Sequence, residues 1–576
     1  MTTVAELIVG ALHAQGVRTI WGVVGDALNP VTDAIRRQDD MEWIGVRHEE
    51  TAAFAAGAQA QLTGTLGVCM GTVGPGSIHL LNGLYDAKKS HAPLLAICGQ
   101  VPLAELGSDY FQEVDNDVLF ADVAVFARTV SSPQQMPGLL ERAVQSAIQE
   151  SGVAVLTLPG DVGGQDLPRS TPAAHFTATS GPVTPDPDAL RAAAQAIDAA
   201  GTVTMLVGIG AREAREPVLA LADHLAAPMV LTLKAKEGLE GDNPFQVGQS
   251  GLLGNPAAHQ ALEGGDVLLM VGTDFPYSDW YPKGKVVVQI DRLGAHIGRR
   301  TAVHHGVVGD ARLSVAALAG LVAAKADRSH LDGSVAAYGT WRESQARLTE
   351  PGFDGSGLVA RVRSRFDNPD ERIRPEALAA AVDRLAPDDA IFTSDTGMST
   401  VWLARFVTMH GRRRLLGSYN LGSMANAMPQ ALGAQALDRS RKVVAFCGDG
   451  GLTMLLGDLI TAVSHDLPVC LVVFDNGRLG MVKLEQEQGG LPEFGTVLQN
   501  PDLAAVARAI GLHGIRVEAP GELDAAVASA LAHQGPVLLD VVTNPDEVAL
   551  PPKTTASDAW GFAIGKLSEP LSSRGA

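Results

Sequence analysis

The sequence predicts an α/β protein of three doubly wound, parallel-sheet domains, and three observations predict it. Apolar runs rich in β-branched residues alternate with helical patterns, as in Val203-Thr204-Met205-Leu206-Val207, Val286-Val287-Val288-Gln289-Ile290 and Val469-Cys470-Leu471-Val472-Val473-Phe474. Runs this apolar belong to strands buried on both faces, as in a parallel sheet covered by helices. At 576 residues the chain exceeds what one core can hold, and domains of roughly 150 to 200 residues make three. Hydrophobic residues reach 46% while aromatics are only 5%, so the cores are built from Ala, Val and Leu, which suits repeated βαβ packing.

Taken in chain order, Thr3-Val4-Ala5-Glu6 has capping-box form and puts Val4, Leu7, Ile8, Ala11 and Leu12 on one helical face, so the N-terminus reads as a docked helix rather than a signal peptide. The first domain spans 1–170, and a Pro-, Thr- and Ser-rich linker follows to Pro187. The central domain spans 188–326. Residues 327–375 are polar, with clustered charge at Arg361 to Arg365 and Asp367 to Arg372, and predict a solvated linker or insertion. The third domain spans 376–545, and 546–576 form a C-terminal tail. No fixed repeat of about 20 to 50 residues is present, although the blocks are candidates for remote structural duplicates. The formal charge of −20 argues against a nucleic-acid binder, for which a concentrated basic face is expected. Four cysteines in apolar runs, Cys69, Cys98, Cys447 and Cys470, read as reduced core residues of a cytoplasmic protein. The 15 histidines are scattered and give no zinc spacing. No apolar segment approaches the roughly 18 residues that a transmembrane span needs.

The densest chemical signal lies in the third domain. Asp449, in Gly448-Asp449-Gly450, comes one residue after the run Val443 to Cys447, and Asn476, in Asp475-Asn476-Gly477, one residue after Val469 to Phe474, 27 positions further on. With a helical pattern between them, this is a βαβ unit carrying polar residues at its C-terminal strand ends. The crossover is right-handed and adjacent strands lie about 4.8 Å apart, so both oxygen ligands emerge on one sheet edge and can share one ion. Mg²⁺ prefers oxygen ligands and is held by one or two protein groups together with phosphate oxygens, which a carboxylate and an amide beside a Gly-rich turn provide for.

This Gly-Asp-Gly and Asn pattern resembles the thiamine diphosphate fingerprint, and further segments extend the resemblance along nearly the whole chain. Trp21-Gly22-Val23-Val24-Gly25-Asp26, Gly74-Pro75-Gly76, Tyr110-Phe111-Gln112-Glu113, Leu156 to Val162 and Gly422-Ser423-Met424-Ala425-Asn426-Ala427-Met428-Pro429 resemble the pyruvate oxidase and acetolactate synthase family of thiamine diphosphate enzymes and, within it, the quinone-linked pyruvate dehydrogenase (pyruvate:ubiquinone oxidoreductase) branch. The resemblance implies the three-domain fold of the thiamine diphosphate enzyme type. It puts Asp449, Asn476 and the main-chain carbonyl of Arg478 on Mg²⁺. Gly25, Gly74, Ser423, Met424, Gly448, Gly450 and Gly451 would lie against thiamine diphosphate, with Met424 as the bulky residue below the bent cofactor. Arg47-His48-Glu49-Glu50-Thr51-Ala52-Ala53 resembles the segment whose carboxylate serves the cofactor's aminopyrimidine, which makes Glu49 the implied catalytic acid. Acid–base work of this kind needs a carboxyl in an apolar setting, and the Ala-rich helix that follows is compatible with one. Phe111 and Gln112 are implied to line the substrate site, Phe111 having simple packing as its alternative.

In the central domain, Val203 to Gly210 reads as a strand entering a Gly turn, by itself a weak dinucleotide signal. Stronger is the resemblance of Gln249-Ser250-Gly251-Leu252-Leu253-Gly254, Gly272-Thr273-Asp274-Phe275-Pro276-Tyr277 and Val286 to Asp291 to the FAD-contacting turns of the family. It implies FAD against Ser250, Gly251, Leu252, Leu253, Thr273, Asp274, Phe275, Pro276 and Tyr277, with Asp291 available to ribose hydroxyls. The implied activity is oxidative decarboxylation of pyruvate to acetate and CO₂, with electrons passing through FAD to a quinone. The alternatives are an acetolactate synthase-like carboligase, or an oxygen-using pyruvate oxidase forming acetyl phosphate. Met481 stands where the quinone-linked branch carries an aromatic residue and leans toward the carboligases, whereas Glu485 occupies their usual Trp position. A homo-oligomer, a dimer of dimers (homotetramer), is implied, because the family places its cofactor between the first domain of one subunit and the third of another. At the tail, Pro551-Pro552 and Gly561-Phe562 match the approach to a lipid-binding segment, but Pro570 interrupts it. The expectation is at most weak peripheral contact with the inner face of the cell membrane through Trp560, Phe562 and Ile564, with packing of these residues against the body as the alternative.

Overall fold

The computed structural model describes residues 2–168, 171–172, 174–176, 181–350, 368 and 371–547; the tail residues Pro551 to Pro570 and the charge cluster Arg361 to Arg365 lie outside them. The first sheet contains β1 (Thr19–Gly22), β2 (Glu42–Gly45), β3 (Gly67–Gly71), β4 (Leu94–Gln100), β5 (Ala124–Thr129) and β6 (Val153–Pro159), in the order β2-β1-β3-β4-β6-β5. The second contains β7 (Val203–Val207), β8 (Met229–Leu231), β9 (Gln246–Gln249), β10 (Val267–Val271), β11 (Val286–Asp291) and β12 (His305–Val308), in the order β12-β11-β10-β7-β8-β9. The third contains β13 (Ile391–Ser394), β14 (Arg414–Gly417), β15 (Val443–Gly448), β16 (Cys470–Asp475), β17 (His513–Val517) and β18 (Val537–Val542), in the order β14-β13-β15-β16-β18-β17. Strand pairing in β1 to β18 is parallel throughout.

The outer two sheets repeat one strand order, whereas the central sheet has the 3-2-1-4-5-6 order of dinucleotide-binding folds, with its switch point between β7 and β10. Helices cover both faces, which is why the central strands are continuous apolar runs: β3, β4, β6, β7 and β10 are buried at every position. At the switch point the chain closes tightly. A side chain at Gly208 would lie 2.2 Å from the Gly272 carbonyl oxygen, so glycine is what lets the ends of β7 and β10 meet.

The expected N-terminal helix is present as Val4–Ala14 with its complete capping box, and it buries Val4, Ala5, Ile8, Val9 and Leu12. All four cysteines are buried and free. Within the expected linker, residues Ser329–Ala346 form a helix that stays largely exposed but is anchored by its buried Leu331 and Tyr338, and His330 Nε2 lies 2.8 Å from Thr204 Oγ1. Among the described residues no helix is long and apolar enough to cross a membrane.

The three domains join through small residues and buried polar groups. The helix Glu49–Thr63 of the first domain crosses the helix Ala427–Leu437 of the third so closely that a side chain at Gly433 would lie 2.2 Å from the Ala55 carbonyl oxygen. Gln59 Nε2 donates to the Gly433 carbonyl at 3.1 Å beside that crossing. Asp458 accepts from Arg47 N at 2.7 Å and from Thr51 Oγ1 at 2.8 Å. The central domain is tied in by Glu237, whose carboxylate accepts from Arg212, Arg414 and the Leu415 main chain, and by Glu240, which accepts from Met409 N at 2.7 Å.

Candidate active site

β15 ends at Gly448, and Asp449 opens the short helix Asp449–Met454; β16 ends at Asp475, with Asn476 next in the chain. The register pairs Gly448 with Phe474, so Asp449 and Asn476 leave the sheet at the same edge. Asp449 is buried. Its Oδ1 accepts from Gly450 N at 2.8 Å, and its Oδ2 accepts from Gly477 N at 2.8 Å and from Asn500 Nδ2 at 2.7 Å. Burial pushes this carboxyl up to about 7, and the charge of Asp475 adds to the shift. A bound cation inverts that balance, because it supplies the missing counter-charge. Asn476 Oδ1 accepts from Arg478 N at 3.0 Å and keeps a second lone pair. A carboxylate and an amide oxygen on one strand edge form the hard donor set that suits Mg²⁺. The Arg478 side chain is engaged elsewhere, with Glu493 Oε1 at 2.6 Å, which leaves only its main chain to serve a metal.

The cleft around these groups is lined by Met424, Gly448 to Gly451, Asn476, Arg478, Met481 and Glu485. A side chain on Gly450 would meet Leu498 at 3.0 Å and Leu479 at 3.1 Å, and one on Gly451 would meet Asp395 Oδ2 at 2.4 Å. Asp395, at the end of β13, accepts from Ala427 N at 2.9 Å and from Gly448 N at 3.1 Å, so one buried carboxyl joins the Met424 loop to the metal-binding turn. Burial pushes it up to about 7. Ser423 does not line the cleft. Its Oγ donates to the Met424 carbonyl at 2.8 Å and accepts from Asn82 Nδ2 at 2.8 Å, so it braces Met424 from behind.

Glu49 is the first residue of its helix, is buried, and lies 2.9 Å from His79 Nδ1 through Oε2. Gly74 has φ +64°, and a side chain there would strike the Gln112 carbonyl oxygen at 2.7 Å; one on Gly25 would overlap Thr72 Oγ1 at 2.1 Å. Phe111 is 78% exposed, and Gln112 holds φ +67°. None of Glu49, Gly25, Gly74, Phe111 and Gln112 lines the Asp449 cleft. These residues belong to the first domain, whereas the cleft around Asp449 is built by the third.

A second cavity opens where the three domains meet. Ser250, Leu252, Leu253, Asp274, Phe275, Pro276 and Tyr277 line it, together with Ile209 at the β7 turn, Lys234, His91 and Tyr419. Gly251, at φ +91°, sits beside it, where a side chain would meet Tyr277 at 3.0 Å. Thr273 and Asp291 stand just outside the lining: Thr273 Oγ1 accepts from Phe275 N at 3.2 Å and Asp291 Oδ1 accepts from Leu293 N at 2.9 Å, each side chain keeping further hydrogen-bonding capacity. Burial acts to raise the Asp274 carboxyl, but the His91 hydrogen bond and the charges of His91, Arg300 and Arg299 outweigh it and hold the group below its ordinary value. Thr396, Gly397, Gly422 and Met481 line this cavity and the Asp449 cleft alike. Sequence reading missed Thr396, Asp395, Asn500 and His79, which stand outside the recognisable motifs.

Comparison with known proteins matches residues 2–119 to the N-terminal TPP binding domain of thiamine pyrophosphate enzymes, 190–318 to their central domain and 395–541 to their C-terminal TPP binding domain. A putative thiamine pyrophosphate-containing protein, YdaP, of Bacillus subtilis is 36% identical over 97% of this chain and 95% of its own length. A pyruvate oxidase of Lactiplantibacillus plantarum is 31% identical, covering 94% of this chain and 88% of its own length. An acetolactate synthase isozyme 2 large subunit of Escherichia coli is also 31% identical, over 93% and 95%. Three matched domains in one order, on a fold that brings Asp449 and Asn476 to a single strand edge, make this chain a member of the thiamine pyrophosphate enzyme family and a thiamine diphosphate-dependent enzyme.

Proposed function

We propose that this enzyme oxidatively decarboxylates pyruvate and passes the electrons through FAD to a quinone, so that pyruvate, water and quinone yield acetate, CO₂ and quinol. The observation that carries the reading is the shared wall: Thr396, Gly397, Gly422 and Met481 border both the Asp449 cleft and the three-domain cavity, so the two adjoin. The central sheet supports a nucleotide cofactor there, because its strand order is that of dinucleotide-binding folds and Ile209, at the switch point, faces the cavity. Two residues of the lining, Ser250 and Gln249, also carry buried polar atoms, Oγ and Nε2, with no hydrogen-bond partner among the described residues, which a polar group reaching them would satisfy.

When bound, thiamine diphosphate supplies an electron sink for cleavage beside a carbonyl, and FAD a two-electron acceptor. The chain's own part is placement. Asp449, Asn476 and the Arg478 carbonyl would hold Mg²⁺, Met424 would support the organic cofactor, and Glu49 would hold a proton at its ring nitrogen. Ser250, Asp274 and the backbone around Gly251 would hold FAD. Phe111 and Gln112 would shape the substrate site. Because Glu49 and Asp449 stand on separate domains and Glu49 does not line the Asp449 cleft, the reading needs a second copy of the chain, and we assign a homotetramer built as a dimer of dimers. Exposed apolar side chains on both domains support this, with Val24, Ile78 and Phe111 on the first and Met454, Val482 and Phe494 on the third. Work from the cytoplasm with peripheral access to membrane quinone completes the assignment.

A carboligase is the second reading, favoured by the unbranched Met481 in the shared wall, which leaves that position adaptable. An oxygen-using oxidase forming acetyl phosphate is a third. Incubating the cofactor-loaded protein with pyruvate and a soluble quinone analogue, with and without phosphate and oxygen, and identifying products by NMR tests all three. Acetate formed in step with quinone reduction supports the proposal. Acetolactate, or acetyl phosphate formed only with oxygen, overturns it.

A further inference from the structure

We propose that His79 is the positioning residue of Glu49, fixing one carboxylate oxygen so that the other meets the cofactor in a set orientation; this rests on the reading of Glu49 as the acid that serves the cofactor's aminopyrimidine. Neither the family segment around Glu49 nor the Gly74-Pro75-Gly76 turn names this histidine, and the structure brings it there from 30 residues along the chain. His79 ends the short helix Pro75–His79, whose turn is locked by Ser77 Oγ donating to the Thr72 carbonyl at 2.9 Å. Its ring is held flat against His48, with centroids 4.4 Å apart and planes at 25°. The His48 ring is fixed in turn, because its Nδ1 accepts from Glu50 N at 3.2 Å and caps the Glu49 helix.

The result is a chain of constraint: the cap sets His48, the stack sets His79, and His79 Nδ1 sets Glu49 Oε2 at 2.9 Å. The remaining oxygen, Oε1, faces Gly76, where a side chain would stand only 3.0 Å away. A glutamate left to itself turns about three side-chain bonds, whereas a carboxyl group pinned at one oxygen presents the other in one place. The arrangement follows a general pattern in which an acid or base is oriented by a third group. His79 does not touch the reacting atoms in this scheme. Its work is done through Glu49.

The test separates the hydrogen bond from the stack. His79→Phe keeps an aromatic ring for His48 but loses the hydrogen-bonding nitrogen; His79→Gln keeps a group that can donate or accept but loses the ring. Thiamine diphosphate affinity with Mg²⁺ and the rate of proton–deuterium exchange at C2 of the bound cofactor are measured in the holoenzyme by calorimetry and NMR. Exchange in His79→Phe is expected to fall about tenfold, and in His79→Gln to stay within about threefold of the parent, with affinity changed by less than about threefold in both. Wild-type exchange in His79→Phe overturns the inference, as does a loss in His79→Gln equal to that in His79→Phe. Should His79→Phe not bind cofactor, His79→Ala replaces it under the same criteria. Glu49→Gln is run alongside: wild-type exchange there removes the Glu49 reading itself, whereas slow exchange in Glu49→Gln with normal exchange in His79→Phe removes only the role of His79.

Discussion

Gly451→Ala is the change whose outcome the structure fixes most sharply. Within a helix this substitution ordinarily stabilises, by about 1 kcal/mol, through backbone entropy. At Gly451 the sign reverses. The added methyl would lie 2.4 Å from Asp395 Oδ2 and 3.2 Å from Ala425 N, far inside any real carbon–oxygen contact. Asp395 cannot retreat without giving up Ala427 N or Gly448 N, the two donors that join the Met424 loop to the metal-binding turn. Overpacking of this kind costs about 1 to 3 kcal/mol, and a lost hydrogen bond to a charged group about 1.5 to 3. The expected net penalty is about 3 kcal/mol, felt as a lower melting temperature and as roughly hundredfold weaker Mg²⁺-dependent binding of thiamine diphosphate. Trp402 lines the same cleft, so its fluorescence reports the binding. Gly10→Ala is the control, since Gly10 is exposed on a helix with nothing within 4 Å of the added methyl, and it should stabilise slightly. Equal behaviour of the two variants would refute the reasoning about Asp395.

Other residues give independent tests. Burial pushes Asp86 up to about 6 from an ordinary 3.8, so the folded state holds its proton longer than the unfolded state does, and stability falls as pH rises through that window. Asp86→Asn should therefore gain on the parent by about 3 kcal/mol between pH 4 and 6.5, read as diverging melting temperatures; parallel curves would contradict the burial argument. Asp449→Asn should raise the Mg²⁺ concentration needed for cofactor binding by at least tenfold, because the charge is lost and the amide NH₂ must face one of the N–H donors that both carboxylate oxygens now accept from. Glu237→Ala removes the carboxylate that joins Arg212, Arg414 and the Leu415 main chain, leaving Arg212 with Glu213 and Arg414 with the Leu62 carbonyl, and should cost about 1.5 to 3 kcal/mol, seen as early proteolytic release of the central domain.

Much of the fold was legible because parallel strands buried on both faces leave uninterrupted Val, Ile and Leu runs, and helix caps leave side-chain signatures such as Thr3 with Glu6. Asp449 and Asn476 were legible for the same reason: each comes one residue after such a run, so the strand-end geometry is written into the chain. The helix Ser329–Ala346 was not, since it contains Gly333 and Gly339 and buries only Leu331 and Tyr338, too few apolar residues to set a period. Asn500 donates to both Asp449 and Asp475 from a loop 51 residues beyond Asp449, with nothing in its own neighbourhood to mark it. Asp395 reads locally as a turn residue, and only the three-dimensional meeting of β13, the Met424 loop and Gly448 reveals what it holds. The shared wall is likewise a property of the domain junction: Thr396 comes from the turn after β13 and Met481 from the first turn of the helix Gly480–Gln488, and packing alone brings both to the border of two cavities.

The most direct measurement on the central claim is anaerobic mixing of the thiamine diphosphate-, Mg²⁺- and FAD-loaded enzyme with pyruvate while flavin absorbance is followed, then addition of a soluble quinone analogue. The account predicts bleaching on pyruvate and recovery on quinone, with acetate formed in equal amount to the quinone reduced. Acetolactate accumulating while the flavin stays oxidised would contradict it.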